Sequence, residues 1–90
     1  LHRAVRTGDD NLVRSLLAAG EDIEARDDGG STALHIAAKE GRVDIIVRLL
    51  LDGGADIDAL SPSGMTALHY AVLYGHIEII SILLDRGASV

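Results

Sequence analysis

Apolar residues along this chain gather into short clusters at helical spacing, separated by stretches rich in glycine and aspartate. Leu12, Val13, Leu16 and Leu17 form one such cluster. Val43, Ile45, Ile46, Leu49 and Leu50 form a second, and Ile77, Ile79, Ile80, Ile82, Leu83 and Leu84 a third. Each predicts a helix. Ahead of the last two lies a further short segment, opened by Thr32 or Thr66 and closed by Gly41 or Gly75. The threonine hydroxyls suit the orphan amides of a helix start, and the glycines supply a left-handed position at its end. Gly53-Gly54, Asp56, Asp58, Ser61, Pro62 and Gly64 then mark a long turn region. Ile23 and Ile57 stand alone in these connectors, placed to anchor them against the helices.

The pattern repeats. Thr32-Ala33-Leu34-His35 returns as Thr66-Ala67-Leu68-His69, a period of 34, and 8 of the 17 positions from Leu34 to Leu50 are identical to those from Leu68 to Leu84. Leu1-His2, Gly8 and Leu16-Leu17 match Leu34-His35, Gly41 and Leu49-Leu50 at a period of 33. The extra residue of the second unit is assigned to one glycine of Gly53-Gly54, after the second helix, where a loop tolerates insertion. Two helices of about ten residues cannot bury their apolar faces alone, so neighbouring units must stack, and about three units are the minimum for stability.

Thr-Ala-Leu-His-x-Ala-Ala-x-x-Gly, then Ile-Ile-x-x-Leu-Leu-Leu, then Gly-Ala-Asp-Ile-Asp, resembles the ankyrin repeat over the whole chain. The resemblance implies an all-α solenoid of stacked helix-turn-helix units joined by hairpin-like turn connectors, with units at approximately 1–26, 27–60 and 61–90. Two positions depart from the family's pattern. Ala33 and Ala67 stand where proline is usual, which costs some pre-organisation and leaves the helix intact. Glu24 and Asp58 stand where asparagine is frequent, so the asparagine hydroxylation known for such proteins loses its usual target.

The two ends of the array read differently. The second helix of unit one, Asp9 to Leu17, carries a single apolar stripe, as a terminal unit needs, and resembles the family's N-terminal capping repeats. In unit three only Glu78 and Ser81 are polar between residues 77 and 84. Such a helix is apolar on more than one face. The expectation is an array that starts near Leu1 and continues past Val90. A chain ending there leaves an apolar face bare or covers it by self-association through the uncapped C-terminal unit.

Composition narrows the function. Apolar residues make up 48% of the chain and aromatics 2%, so the core must be aliphatic. The net charge of −6 argues against a nucleic-acid backbone as partner. The absence of cysteine excludes disulfides and thiolate metal sites. No apolar run approaches the roughly 20 residues that span a bilayer, and no segment resembles a signal peptide. The expectation is an intracellular protein, cytoplasmic or nuclear, without membrane insertion.

Candidate chemistry is thin. His2, His35 and His69 share one repeat position, which suits imidazoles tying turn backbone between adjacent units. Copies one repeat apart lie about 10 Å from each other, too far to share a zinc ion. Asp22, Glu24, Asp27, Asp28, Asp56 and Asp58 lack the spacing of a calcium loop and read as solvated turn residues. Gly29-Gly30-Ser31-Thr32 precedes a helix but has no lysine where a phosphate cradle requires one. With no convergent acid, base or nucleophile, no catalytic, cofactor or metal site is assigned, and the chain is read as a non-enzyme.

What remains is surface that the fold does not need. In the family that the chain resembles, partners usually dock on the concave side formed by first helices and turn tips. This implies a protein–protein interaction module, with a structural spacer inside a longer array of a channel, kinase or cytoskeletal adaptor as the alternative. Unit one is cationic there and unit three apolar. The candidate partner-binding residues are Arg6, Arg26, Lys39, Met65, Tyr70, Leu73 and Tyr74. Leu73 and Tyr74 serve as anchors, with Arg6, Arg26 and Lys39 steering acidic groups at the rim.

Overall fold

Three of the helices begin where a side chain satisfies a backbone amide. Asp9 accepts the Leu12 amide at 3.1 Å, which starts α2 (Asp10–Ala18) after α1 (His2–Thr7) has ended at Gly8. Thr32 starts α3 (Ala33–Glu40) and Thr66 starts α4 (Ala67–Leu73), each accepting the amide three residues on, from His35 or His69, at 3.3 Å. α5 (Ile77–Asp85) completes the third pair. The computed structural model describes residues 1–88, apart from the side chains of residues 46–48. Among the described residues there is no strand.

The first helices α1, α3 and α4 pack side by side in one layer, and the second helices back them. Val5, Val13, Leu34, Ile36, Ile45, Leu50, Leu68, Ile79 and Leu83 form one continuous buried core with the alanines of the first helices. These alanines let the first helices approach closely: Ala4, Ala33, Ala37, Ala38, Ala67 and Ala71 are all buried. The connectors end in tight tips closed by paired backbone bonds. Asp27 N–H donates to the Ser31 carbonyl at 3.0 Å, and Ser61 N–H to that of Met65 at 2.8 Å. They are hairpin turns without strands.

The second helix of unit two differs from its neighbours. Residues Ile45–Leu51 wind as a π-helix, in which each hydrogen-bonded turn closes five residues apart instead of four. Ile79 and Leu83, four apart, are both fully buried in unit three, whereas among the described side chains of the second helix of unit two the fully buried pair is Ile45 and Leu50, five apart. Gly20, Gly54 and Gly87 all have positive φ, of 94°, 90° and 92°. Gly54 closes on the Leu51 carbonyl as Gly87 closes on that of Leu84. Gly54 is thus the counterpart of Gly87, and the extra residue of the 34-residue period is absorbed within the helix. This corrects the expectation of an insertion in the loop after it. Gly53 sits at the crowded end of the wide turn, where a Cβ would fall 2.5 Å from the Leu49 carbonyl oxygen.

Candidate protein-binding surface

The first helices present a row of equivalent positions along one side of the stack. Arg6, Lys39 and Leu73 occupy the same repeat position, and all three are exposed. One step on, Thr7, Glu40 and Tyr74 are exposed as well. Stacking therefore leaves this row open even where a following unit is present. By contrast Val5 and Ala38, one step earlier, are at 0% exposure.

A recess of about 130 Å³ runs along this row, lined by Arg6, Asp27, Ser31, His35, Lys39 and Tyr70 among others. Tyr70 is held edge-on to the His35 ring, with centroids 5.6 Å apart and planes at 71°. Lys39 places its Nζ 5.7 Å from the centre of the Tyr74 ring, a cation–π arrangement that orients both side chains. Arg6 lies 3.7 Å from Asp27. That carboxylate accepts the Ser31 and Gly29 amides, each at 2.9 Å. The bond from Ser31 above all, with smaller help from Gly29, His2 and Arg6, holds Asp27 below the usual carboxylate range despite its partial burial. A larger recess of about 570 Å³ lies between the second helices of units one and two. Its rim, Arg14, Glu21, Asp22 and Asp52, mixes charges of both signs, and Asp52 is already paired with Arg86 at 3.0 Å.

Of the seven residues singled out from the sequence, Arg6, Lys39 and Tyr70 meet in the smaller recess. Leu73, 66% exposed, and Tyr74, 47% exposed, extend it across unit three. Met65 is half-buried at the second turn tip. Arg26 is exposed but engaged: its Nη1 donates to the Gly30 carbonyl at 2.8 Å and to the Leu60 carbonyl at 2.7 Å, joining the two tips.

The histidines serve the frame. His35 Nδ1 accepts the Thr32 amide at 3.0 Å, so the hydrogen resides on Nε2, which donates to the Ala59 carbonyl at 2.8 Å. Burial, the largest influence, pushes the His35 imidazole below its ordinary value and keeps it neutral. His2 makes the corresponding bond to Ala25, also at 2.8 Å. Repeat comparison alone did not reveal a second set of ties. Arg42 donates to the Arg6 carbonyl at 2.7 Å and His76 to the Lys39 carbonyl at 2.8 Å, each side chain reaching back to the preceding unit. Their signal in the sequence is Gly8 and Gly41, on which the two side chains lie.

A stack of helix-turn-helix units with an aliphatic core and an open row of variable side chains defines the class: a repeat solenoid that presents a surface. A family model described as ankyrin repeats in three copies matches residues 1–90, and the chain belongs to the ankyrin repeat family. Repeats of this family generally mediate protein–protein interaction and are generally non-catalytic. An ankyrin repeat protein of Rickettsia felis is 48% identical over 46 residues, which cover 51% of this chain and 73% of that protein. The human protein phosphatase 1 regulatory subunit 27 is 47% identical over 45 residues, 50% of this chain and 29% of its own length. No described helix is long and apolar enough to cross a membrane.

Proposed function

We propose that this chain is a non-catalytic interaction module that binds a partner protein along the open row of first helices and turn tips. Tyr70, Leu73 and Tyr74, with Met65 at the neighbouring tip, supply the apolar contact. Arg6, Arg26 and Lys39 supply the cationic rim that favours an acidic partner segment. The observation that carries this reading is the exposure of Leu73 and Tyr74 at positions that stay open inside the stack, where an apolar choice gives the fold nothing. Both rest on a rigid frame, so little ordering entropy is lost on binding. The name of the human relative, a regulatory subunit, supports a binding role for the shared repeat.

The test replaces both anchors with serine. Leu73→Ser with Tyr74→Ser should weaken binding of proteins retained by the immobilised chain by about 2–4 kcal/mol, the size of a hot-spot pair. The circular dichroism melt should stay unchanged. Retention of the same proteins at the same affinity overturns the assignment, and a collapsed melt moves the two residues into the core.

A further inference from the structure

The two interfaces within the stack differ between their second helices. At the second interface Arg86 of unit three reaches back to Asp52 of unit two, Nη1 to Oδ1 at 3.0 Å, and the pair bridges the helices. Each unit closes on a left-handed glycine, Gly20, Gly54 or Gly87, which fixes the equivalent positions. Counted back from these glycines, Gly53 and Ala18 stand in the first interface where Arg86 and Asp52 stand in the second. Neither has a side chain that can cross. Both line the recess of about 570 Å³ found there instead. The π-helix helps to keep it open. A Cβ on Gly53 would fall 2.5 Å from the Leu49 carbonyl oxygen, so the wide turn works against any side chain at the position that Arg86 uses one unit on.

We propose that the recess between the second helices of units one and two is a further docking site, which takes an arginine side chain from an extended segment of a partner protein. The chemistry follows the bridge that is missing there. Leu17, Ile23 and Leu49 are half-buried and give an apolar floor, along which the methylene stem of an arginine can lie. At the rim three carboxylates stand against one cation, Arg14. Asp22 spends Oδ1 on the Glu24 amide at 2.9 Å, and Asp52 spends Oδ1 on Arg86. Glu21 turns Oε1 toward the Leu1 amino group at 3.5 Å. The second oxygen of each has no partner among the described residues. A guanidinium brings a planar fork of donors to such oxygens, as Arg86 already does at the next interface. The volume is that of a small-ligand site, which leaves room for the apolar neighbours of that arginine. No lining residue belongs to a first helix, so the site stands or falls separately from the partner-binding row.

The test follows the chain by amide NMR while the blocked peptide acetyl-Leu-Arg-Leu-amide is added. The control peptide carries citrulline, the neutral isostere of arginine. The arginine peptide should shift the amides of Ala18, Ile23 and Gly53 saturably and leave those of Leu73 and Tyr74 in place. The citrulline peptide should bind about tenfold more weakly. Asp22→Asn together with Asp52→Asn removes two rim charges at exposed positions and should weaken the arginine peptide about tenfold. Arg14→Gln removes the opposing cation and should tighten it about threefold. Ala18→Arg, at an exposed position of α2 and with good helix propensity, sets the missing side chain into the recess. It should abolish binding and leave the circular dichroism melt unchanged. No saturable shift at the recess, equal binding of the two peptides, or tighter binding of acetyl-Leu-Glu-Leu-amide overturns the proposal. So does a dimer in sedimentation that Ala18→Arg dissociates, since a second copy of the chain is then the occupant.

Discussion

At His35 a single imidazole makes three contacts on two pieces of chain: it accepts the Thr32 amide, stands 3.0 Å from the Thr32 hydroxyl and donates to the Ala59 carbonyl of the next connector. His69 occupies the same repeat position and makes, among the described residues, only the first two of these. The two residues should therefore respond differently to the same change. His35→Ala leaves a buried amide and a part-buried carbonyl unpaired beside a small cavity and should cost about 2–4 kcal/mol. His69→Ala should cost about 1 kcal/mol, the worth of a cap. Urea denaturation of both variants measures the difference. The pH dependence follows from the lowered pKa of His35, whose ordinary value is 6.5. Well above pH 6.5 the imidazole is neutral folded and unfolded, so it adds no pH dependence there. As pH falls below that value the unfolded chain takes up the proton first, so stability is lost with acidification. Asp27, with a depressed pKa, adds a further loss of stability as pH falls through and below the ordinary carboxylate range. His35→Ala should flatten the first of these two slopes, which equilibrium unfolding between pH 7 and 5 measures.

One element departs from the common plan, and its consequences are local. The π-helix Ile45–Leu51 carries 12 steps from Arg42 to Gly54 where the other units use 11. Its wide turn keeps Ile45 at one end and Leu50 at the other pointing into the core. A glycine in the middle of an ordinary exposed helix gains about 0.5–1 kcal/mol when changed to alanine. Gly53 should behave oppositely. Its Cβ would fall 2.5 Å from the Leu49 carbonyl oxygen and 3.1 Å from Ile23 Cδ1, so Gly53→Ala should destabilise by about 1–2 kcal/mol. The sign of the shift in the urea midpoint decides it. Salt bridges matter less at this scale. Arg86 and Asp52 tie neighbouring second helices, but with side chains 41% and 55% exposed the pair contributes well under about 1 kcal/mol.

Across the whole molecule, stability is a sum of units and the interfaces between them. Unit two has a neighbour on each side, and six of the eight residues of α3 are buried. α5 is covered on one side and leaves Ile77 at 78% and Leu84 at 43% exposure. Native-state hydrogen exchange should accordingly show α3 amides as the slowest and α5 amides exchanging about tenfold faster or more. Unit three also carries the anchors of the open row, and these stay apart from its outer face because the repeat buries Val5 and Ala38, the equivalents of Val72, and never those of Leu73 or Tyr74.

By itself the sequence determined the period, the helix pairs, the threonine caps, the aliphatic core and the family, because helix patterning and turn chemistry are local and recur three times. Pairing by alignment also brought Arg6, Lys39 and Leu73 into one row, since equivalent positions in a stack share a side. Tertiary structure decided what depends on a neighbour. The extra residue of unit two can be absorbed in a loop or in a widened helical turn, and only the burial of Ile45 with Leu50 selects the second. Arg26 looks like a free cation until the two turn tips come within reach of its guanidinium. Val72 and Ala38 read alike as apolar residues, and the presence or absence of the next unit makes one of them core and the other surface.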